Sequence, residues 1–323
     1  MAHFLLRRLG GLLCGGLLLL SCSSPDTDPS IAALAVANPD FQVLEDAAVR
    51  GGVVELLSNK NPAPQSNGYF TVFAPTNAAF ARLGLRQASD LLALQLPFLQ
   101  STLYYHVANG NLNSSTLQAG ASSNSALGVT RRYIQRGNDL YVNGSRIVAT
   151  DIFTANGTVH AVDKVLLATG ADIVQSAIAL SQSKVFVQPE LTYLVEAVLY
   201  CDLASALSEG SPEYTVFAPT DAAFRELGAL LNVPLNKPAD IRNLPKDVVT
   251  KVLLNHVVPT AQFTPELPAT ATALSGSQLT FGPFTDGVLT VRGPGNQTAA
   301  NMAIPDVQCT NGVVHVIDRV LLP

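Results

Sequence analysis

The chain of 323 residues has no tryptophan, only two methionines, and 13% charged residues. So low a charge density is uncommon in a cytosolic enzyme and ordinary in an exported protein. A net charge of −5 without a Lys/Arg cluster lacks the electrostatic footprint of a nucleic-acid binder, so nucleic acid is not expected as a partner. Catalytic signatures with a local spacing are missing as well: there is no GxSxG elbow, HExxH helix or phosphate-cradling glycine loop. Cysteine is scarce, with four in all. Cys201 and Cys309 have no close His or Cys companions, and neither a metal nor another cofactor is expected. No apolar run reaches the roughly 20 residues of a membrane-spanning helix.

What is present begins with a leader. Arg7 and Arg8 precede the apolar stretch Leu9–Ser21, the basic and apolar regions of an export signal. The next residues, "LLSC" at Leu19–Cys22, resemble the lipobox of bacterial lipoproteins, in which cleavage falls before a cysteine that then carries lipid. That resemblance implies a leader over residues 1–21, lipid attachment at Cys22 and a polar tether over 22–30. It places the protein outside the cytoplasm, anchored to the bacterial cell envelope at the outer membrane or cell surface. Acyl chains would hold it there at about 0.8 kcal/mol per buried methylene. With Cys14 lost and Cys22 lipidated, Cys201 and Cys309 remain; the sequence reads equally as a disulfide between them or as two buried small hydrophobes.

The rest of the chain is one pattern written twice. "FTVFAPTNAAF" from Phe70 returns as "YTVFAPTDAAF" from Tyr214, "LYYHVANG" from Leu103 as "LLNHVVPT" from Leu253, and "NGTVHAVDKVLL" from Asn156 as "NGVVHVIDRVLLP" from Asn311. Three blocks in the same order define a duplicated domain, over 31–168 and 172–323, joined at 169–171 by a short linker; the period is too long for a solenoid. In each copy "TVFAP" reads as a strand kept extended before proline. The Thr that follows, Thr76 or Thr220, is placed to cap a helix. Helical periodicity precedes this corner, and short strands broken by Asn-Gly and Asp-Gly pairs follow the histidine block. The expected fold is therefore α+β with helices first and strands last, not alternating βαβ.

At these three blocks the sequence is similar to the fasciclin (FAS1) domain family, whose hallmarks are a "TVFAPTDAAF"-type first motif, a central Tyr-His pair and a terminal "NGVVHVIDxVLLP"-type motif. The resemblance implies two tandem domains, each a wedge of about seven strands flanked by helices, and a role in adhesion or in binding extracellular protein, matrix or carbohydrate ligands. Its motif residues fall on Thr76, Tyr105, His106 and His160 in the first copy and on Thr220, Asp221, His256 and His315 in the second. Two departures stand out: Asn255 replaces the Tyr of the Tyr-His pair in copy two, and Asn77 replaces the acid kept as Asp221. A further segment, Asp240-Ile241, resembles the Asp-Ile pairs associated with receptor contact in animal members.

Chemistry, if present, would use the paired histidines with Asp163 and Asp318, as a general base seeking a nucleophile or metal. Their apolar surroundings, "LYYHVA" and "VVHVID", favour hydrogen-bonded core residues instead, and the protein is read as a non-enzyme. Three functions thus stand in order: an anchored adhesion or ligand-binding module, a matrix or biofilm component acting by self-association, and an envelope hydrolase.

Overall fold

The structure, a computed structural model, describes residues 28–188 and 190–323. The leader, Cys22 and most of the tether lie outside the described residues. Among the described residues no helix is long and apolar enough to cross a membrane.

Domain 1 opens with helices α1 (Ile31–Ala37), α2 (Gln42–Gly51) and α3 (Val54–Ser58), then passes through β1 (Phe70–Pro75) into α4 (Asn77–Ala81) and α5 (Leu96–His106). Strands β2 (Val107–Asn109), β3 (Ser122–Asn124), β4 (Thr130–Arg136), β5 (Asp139–Val142), β6 (Ser145–Thr154) and β7 (Gly157–Val162) complete it. After the short strand β8 (Leu167–Ala168), domain 2 repeats the plan. Its elements are α6 (Ile173–Ser181), α7 (Thr192–Tyr200), β9 (Tyr214–Pro219), α8 (Asp221–Leu231), α9 (Lys246–Leu254), β10 (Val257–Val258), β11 (Thr270–Thr272), β12 (Gln278–Phe281), β13 (Thr290–Arg292), β14 (Ala300–Cys309) and β15 (Gly312–Ile317).

Each domain is a mixed sheet with helices against it, in the order β2-β1-β7-β6-β5-β4-β3 and its equivalent β10-β9-β15-β14-β13-β12-β11. The first and last repeated motifs are neighbours here. β1 runs parallel to β7 with Phe73 opposite His160, and β9 runs parallel to β15 with Phe217 opposite His315. Apart from half-buried Tyr214 this central pair is buried along its length, so its strands read as largely apolar runs. Side chains leave it on both faces. Val72, Ala74, Val159 and Ala161 join the core beneath the helices, and Phe73 and Val162 join a second core with Tyr105 and Tyr133.

The Asn-Gly pairs do more than turn the chain. A Cβ on Gly157 would lie 2.1 Å from the Phe70 carbonyl oxygen, and one on Gly312 would lie 2.1 Å from that of Tyr214. Only glycine lets these strands approach. The Asn side chains are buried ties: Asn156 accepts from Ile31 N–H and donates to the Leu57 and Asn59 carbonyls, and Asn311 does the same with Ile173, Leu207 and Ser208. The first helix of each domain is thereby pinned to its last hairpin.

The sequence reading placed Leu167 and Ala168 at the end of domain 1. In space β8 runs parallel to β14, and Thr169 N–H donates to the Gln308 carbonyl, so the junction is a strand of the second domain's sheet. The shortness of the connection leaves the chain no slack, and the unpaired half of β14 offers the backbone partners it needs.

Candidate functional site

The four motif histidines are fully enclosed, and both nitrogens of each are occupied. His106 Nδ1 donates to the Thr102 carbonyl at 2.7 Å and Nε2 accepts from Leu166 N–H at 2.9 Å. His256 repeats this with the Val252 carbonyl at 2.7 Å and Leu321 N–H at 2.8 Å. His160 and His315 use the other tautomer. Their Nε2 donates to the carbonyls of Leu112 and Gln262, and their Nδ1 accepts from the N–H of Asp151 and Asp306. Burial pushes His106 and His256 down to about 4, and lowers His160 and His315.

This wiring decides the chemistry. Asp306 Oδ1 stands 3.9 Å from His315 Nδ1 and so resembles the orienting acid of a triad. That nitrogen, however, already accepts a backbone proton and has none to give the carboxylate, while Nε2–H is committed to a carbonyl. Each histidine joins two separate segments as a neutral staple. Phe73 stacks on His160 and Phe217 on His315, both with centroids 5.5 Å apart. Among the described residues no group of three or more His, Cys, Asp or Glu side chains is placed to hold a metal ion.

The remaining motif residues are also structural. Thr76 and Thr220 cap α4 and α8, accepting from Ala79 and Ala223 N–H at 3.3 and 3.2 Å. Asn77 accepts from Val43 N–H and donates to the Pro39 carbonyl; Asp221 accepts from Tyr193 N–H and the Thr192 hydroxyl. The two side chains thus perform one task, holding the start of the second helix, with an amide where a carbonyl needs a donor and an acid where only donors face it.

One open alternative is decided and one expectation is corrected. Cys201 and Cys309 are free, buried thiols, not a disulfide. Cys309 sits between the hydroxyls of Ser176 and Thr169, and its burial pushes the thiol up to about 11, whereas Cys201 faces the Lys246 carbonyl. Asp240-Ile241 is not an open contact segment either. Asp240 accepts from the N–H groups of Asn236 and Lys237, closing a turn, and Ile241 is buried in the domain core. Asp90 and Leu91 do the same in copy one.

A large polar cluster lies where the domains meet, and apart from Tyr105 its residues are ones the sequence reading did not single out. Lys164 enters domain 2 and donates to Asp306 Oδ2 at 2.5 Å, the Gly287 carbonyl at 2.7 Å and the Thr264 hydroxyl at 3.1 Å. Burial works against ionised Asp306, but the Lys164 charge and bonds from Lys164 and Thr264 outweigh it and hold the carboxyl below its usual range. Around this pair, Arg132 binds Glu266 at 2.5 Å, and Arg136 donates to the carbonyls of Thr264, Pro265 and Leu267. Tyr105, whose hydroxyl burial raises, donates to Gln308. Ile134 and Tyr141 pack with Phe263 and Val313. On the far side Gln95 N–H and Ala93 carbonyl bond to the 185–187 segment as a small ladder. A signal did exist in the sequence: Lys164 aligns with Arg319 within the third block, and Asp306 with Asp151 just ahead of it.

A mixed sheet duplicated around an Asn-Gly tie, two histidine staples and a Thr-capped corner defines a class of paired α+β domains without an assembled catalytic centre among the described residues. The Fasciclin domain model matches residues 39–168 and 189–323, and the chain belongs to that family. Similar proteins include transforming growth factor-beta-induced protein ig-h3 of Sus scrofa, 28% identical over 81% of this chain and 36% of the relative. Protein sll1483 of a Synechocystis strain is 31% identical over 46% of the chain and 79% of its own length. Immunogenic protein MPB70 of Mycobacterium bovis is 34% identical over 43% and 69%. The chain thus spans 36% and 44% of the length of two ig-h3 relatives. A solved FAS1 domain pair from the insect cell adhesion molecule fasciclin I covers 90% of this chain and 96% of its own, at 17% identity and a TM-score of 0.39.

Proposed function

We propose that this is a lipid-anchored cell-envelope protein whose two fasciclin domains, held as one body, bind an extracellular protein or glycan partner by their outer surfaces. One observation carries the reading. Every motif histidine has both nitrogens committed to the backbone, while prominent exposed apolar side chains stand on elements that differ between the copies. The clearest case is α8, which runs Asp221–Leu231 where α4 ends at Ala81; its added turn exposes Leu230 (70%) and Leu231. This apolar projection, which the fold does not require, supports a contact surface there. The anchor follows from "LLSC" and Cys22, and the polar tether would set the domain pair off the bilayer.

Residues 23–323, which keep every described residue, should bind arrayed glycans or cells of the source species saturably, and Leu230→Asp with Leu231→Asp should weaken that binding without altering the melting curve. Binding indifferent to these changes, or absent, removes the reading. Incorporation of labelled palmitate into the full chain, abolished by Cys22→Ser, tests the anchor separately.

A further inference from the structure

We propose that the apolar space at the domain joint binds a small uncharged aliphatic molecule with one hydroxyl or carbonyl group, that group held at Thr102 and the chain directed into domain 2. The space, of about 70 Å³, lies where α4 and α5 of domain 1 face α6, α7 and the β9–β15 pair of domain 2. Phe80, Phe98 and Leu99 stand on one side, and Ile173, Leu194 and Val316 on the other. Among the described residues no ionisable side chain lines it. Phe98, Ala177 and Phe186 keep part of their surface exposed although they stand between the domains, which gives a small molecule a way in.

Three hydroxyls reach this lining, and one of them is unspent. Ser176 and Thr169 bond to each other and to the carbonyls of Asp172 and Ala171. Thr102 is only 5% exposed, and its hydroxyl has no hydrogen-bond partner among the described residues. A buried hydroxyl left unpaired is costly, so its presence needs a reason. The fold does not supply one. Four residues before the equivalent histidine, domain 2 carries Val252, whose carbonyl accepts from His256 as that of Thr102 accepts from His106. The hydroxyl is therefore an addition at the one copy that faces the joint.

The chemistry of the lining selects the ligand. A lone hydroxyl among apolar walls offers too few partners to hold a water, so the group that meets it must bring an apolar body. A carboxylate or ammonium head would lose its hydration with nothing to offset the loss. The space also has room to continue. A second apolar space of about 70 Å³ lies between α6, α7 and β9, and Ile173, Ala177, Leu194 and Val216 line both. A short alkyl chain can thus start at Thr102 and run towards the core of domain 2. Mostly apolar pockets at domain interfaces, with a few polar groups fixing orientation, are the usual form of a small-molecule site. A ligand that touches both domains binds only the closed joint and thereby stabilises it.

The test is a titration of residues 23–323, methyl-labelled at Ile, Leu and Val and followed by NMR. With 1-hexanol the methyl shifts should saturate and centre on Leu99, Ile173 and Leu194, and hexanoate should bind roughly tenfold more weakly or worse. Thr102→Val, which copies domain 2, should loosen 1-hexanol severalfold and leave binding of xenon, a purely apolar probe, unchanged. Ala177→Phe should fill the space and exclude 1-hexanol. Shifts that never saturate, shifts centred on Leu44 and Leu57 beneath the domain 1 helices, or equal affinity for hexanoate overturn the proposal. Unchanged 1-hexanol affinity in Thr102→Val overturns it as well, and that variant, which loses only a hydroxyl, carries the test should Ala177→Phe fail to fold.

Discussion

Domains 1 and 2 share a plan but fill its centre differently. Domain 1 buries Arg131 completely, its guanidinium over the rings of Phe73 and Tyr105 and bonded to the Tyr105 carbonyl; burial pulls it down to about 10. Domain 2 places Leu279 at the matching point of its sheet and Asn255 where Tyr105 stands. The consequences run outward. Tyr105 is long enough to cross the seam to Gln308, whereas Asn255 turns inward, donating to the Leu321 carbonyl and accepting from Ser275. Domain 1 contributes cations to the seam, and domain 2 contributes Asp306, Glu266 and a row of carbonyls. The shared motifs thus maintain the fold, and the departures between copies create a directional joint.

Breaking that joint should give the largest effect. Lys164→Ala leaves Asp306 as a buried, uncompensated carboxylate and is expected to cost about 3–5 kcal/mol. Denaturant unfolding should then split into two transitions, and Asp306→Asn in the same chain should restore part of the loss. Next come the tight approaches common to both copies. Gly157→Ala and Gly312→Ala each force a Cβ against a backbone carbonyl, so each should destabilise its own domain by about 1–3 kcal/mol, in matched amounts, by calorimetry.

Acid tests the staples. An ordinary histidine titrates near 6.5, whereas His106 and His256 in the fold titrate at about 4, so the unfolded chain takes up these protons first. Stability should be constant above pH ~6.5 and fall as pH drops towards 4, by up to about 1.4 kcal/mol per pH unit for each ring. His160 and His315 are shifted the same way and add to the loss. Asp306, held low, contributes only at more acidic pH, as its carboxyl protonates. Urea midpoints at pH 7, 6 and 5 should fall together for both domains, since each carries a matched pair. Smaller still, Thr76→Ala and Thr220→Ala should each cost about 1 kcal/mol through a lost cap. Leu230→Glu should leave stability within about 0.5 kcal/mol, since it supports nothing beneath it.

The local devices were legible because their causes are local. A Thr after an extended, proline-preceding residue caps a helix, and a block repeated twice must serve the fold twice. The histidines were readable as core residues from their neighbours, though not their tautomers, which depend on backbone groups as distant as Leu166 and Leu321. Asp240-Ile241 misled because a dipeptide does not report that its Ile points inward and its acid closes a turn. Cys201 and Cys309 share one core without bridging, since a bond requires a separation and orientation that sequence does not encode.

The sequence by itself determined the duplication, the α+β class, the corner and the family, because each rests on short-range patterning that any chain with those residues must obey. Tertiary structure alone decided that the first and last motifs lie side by side, that β8 belongs to the second sheet, and that Lys164 is the buried key of the seam. Those outcomes come from long-range pairing of groups that must satisfy charge and backbone hydrogen bonds out of water, and their partners are fixed only when the whole chain has folded.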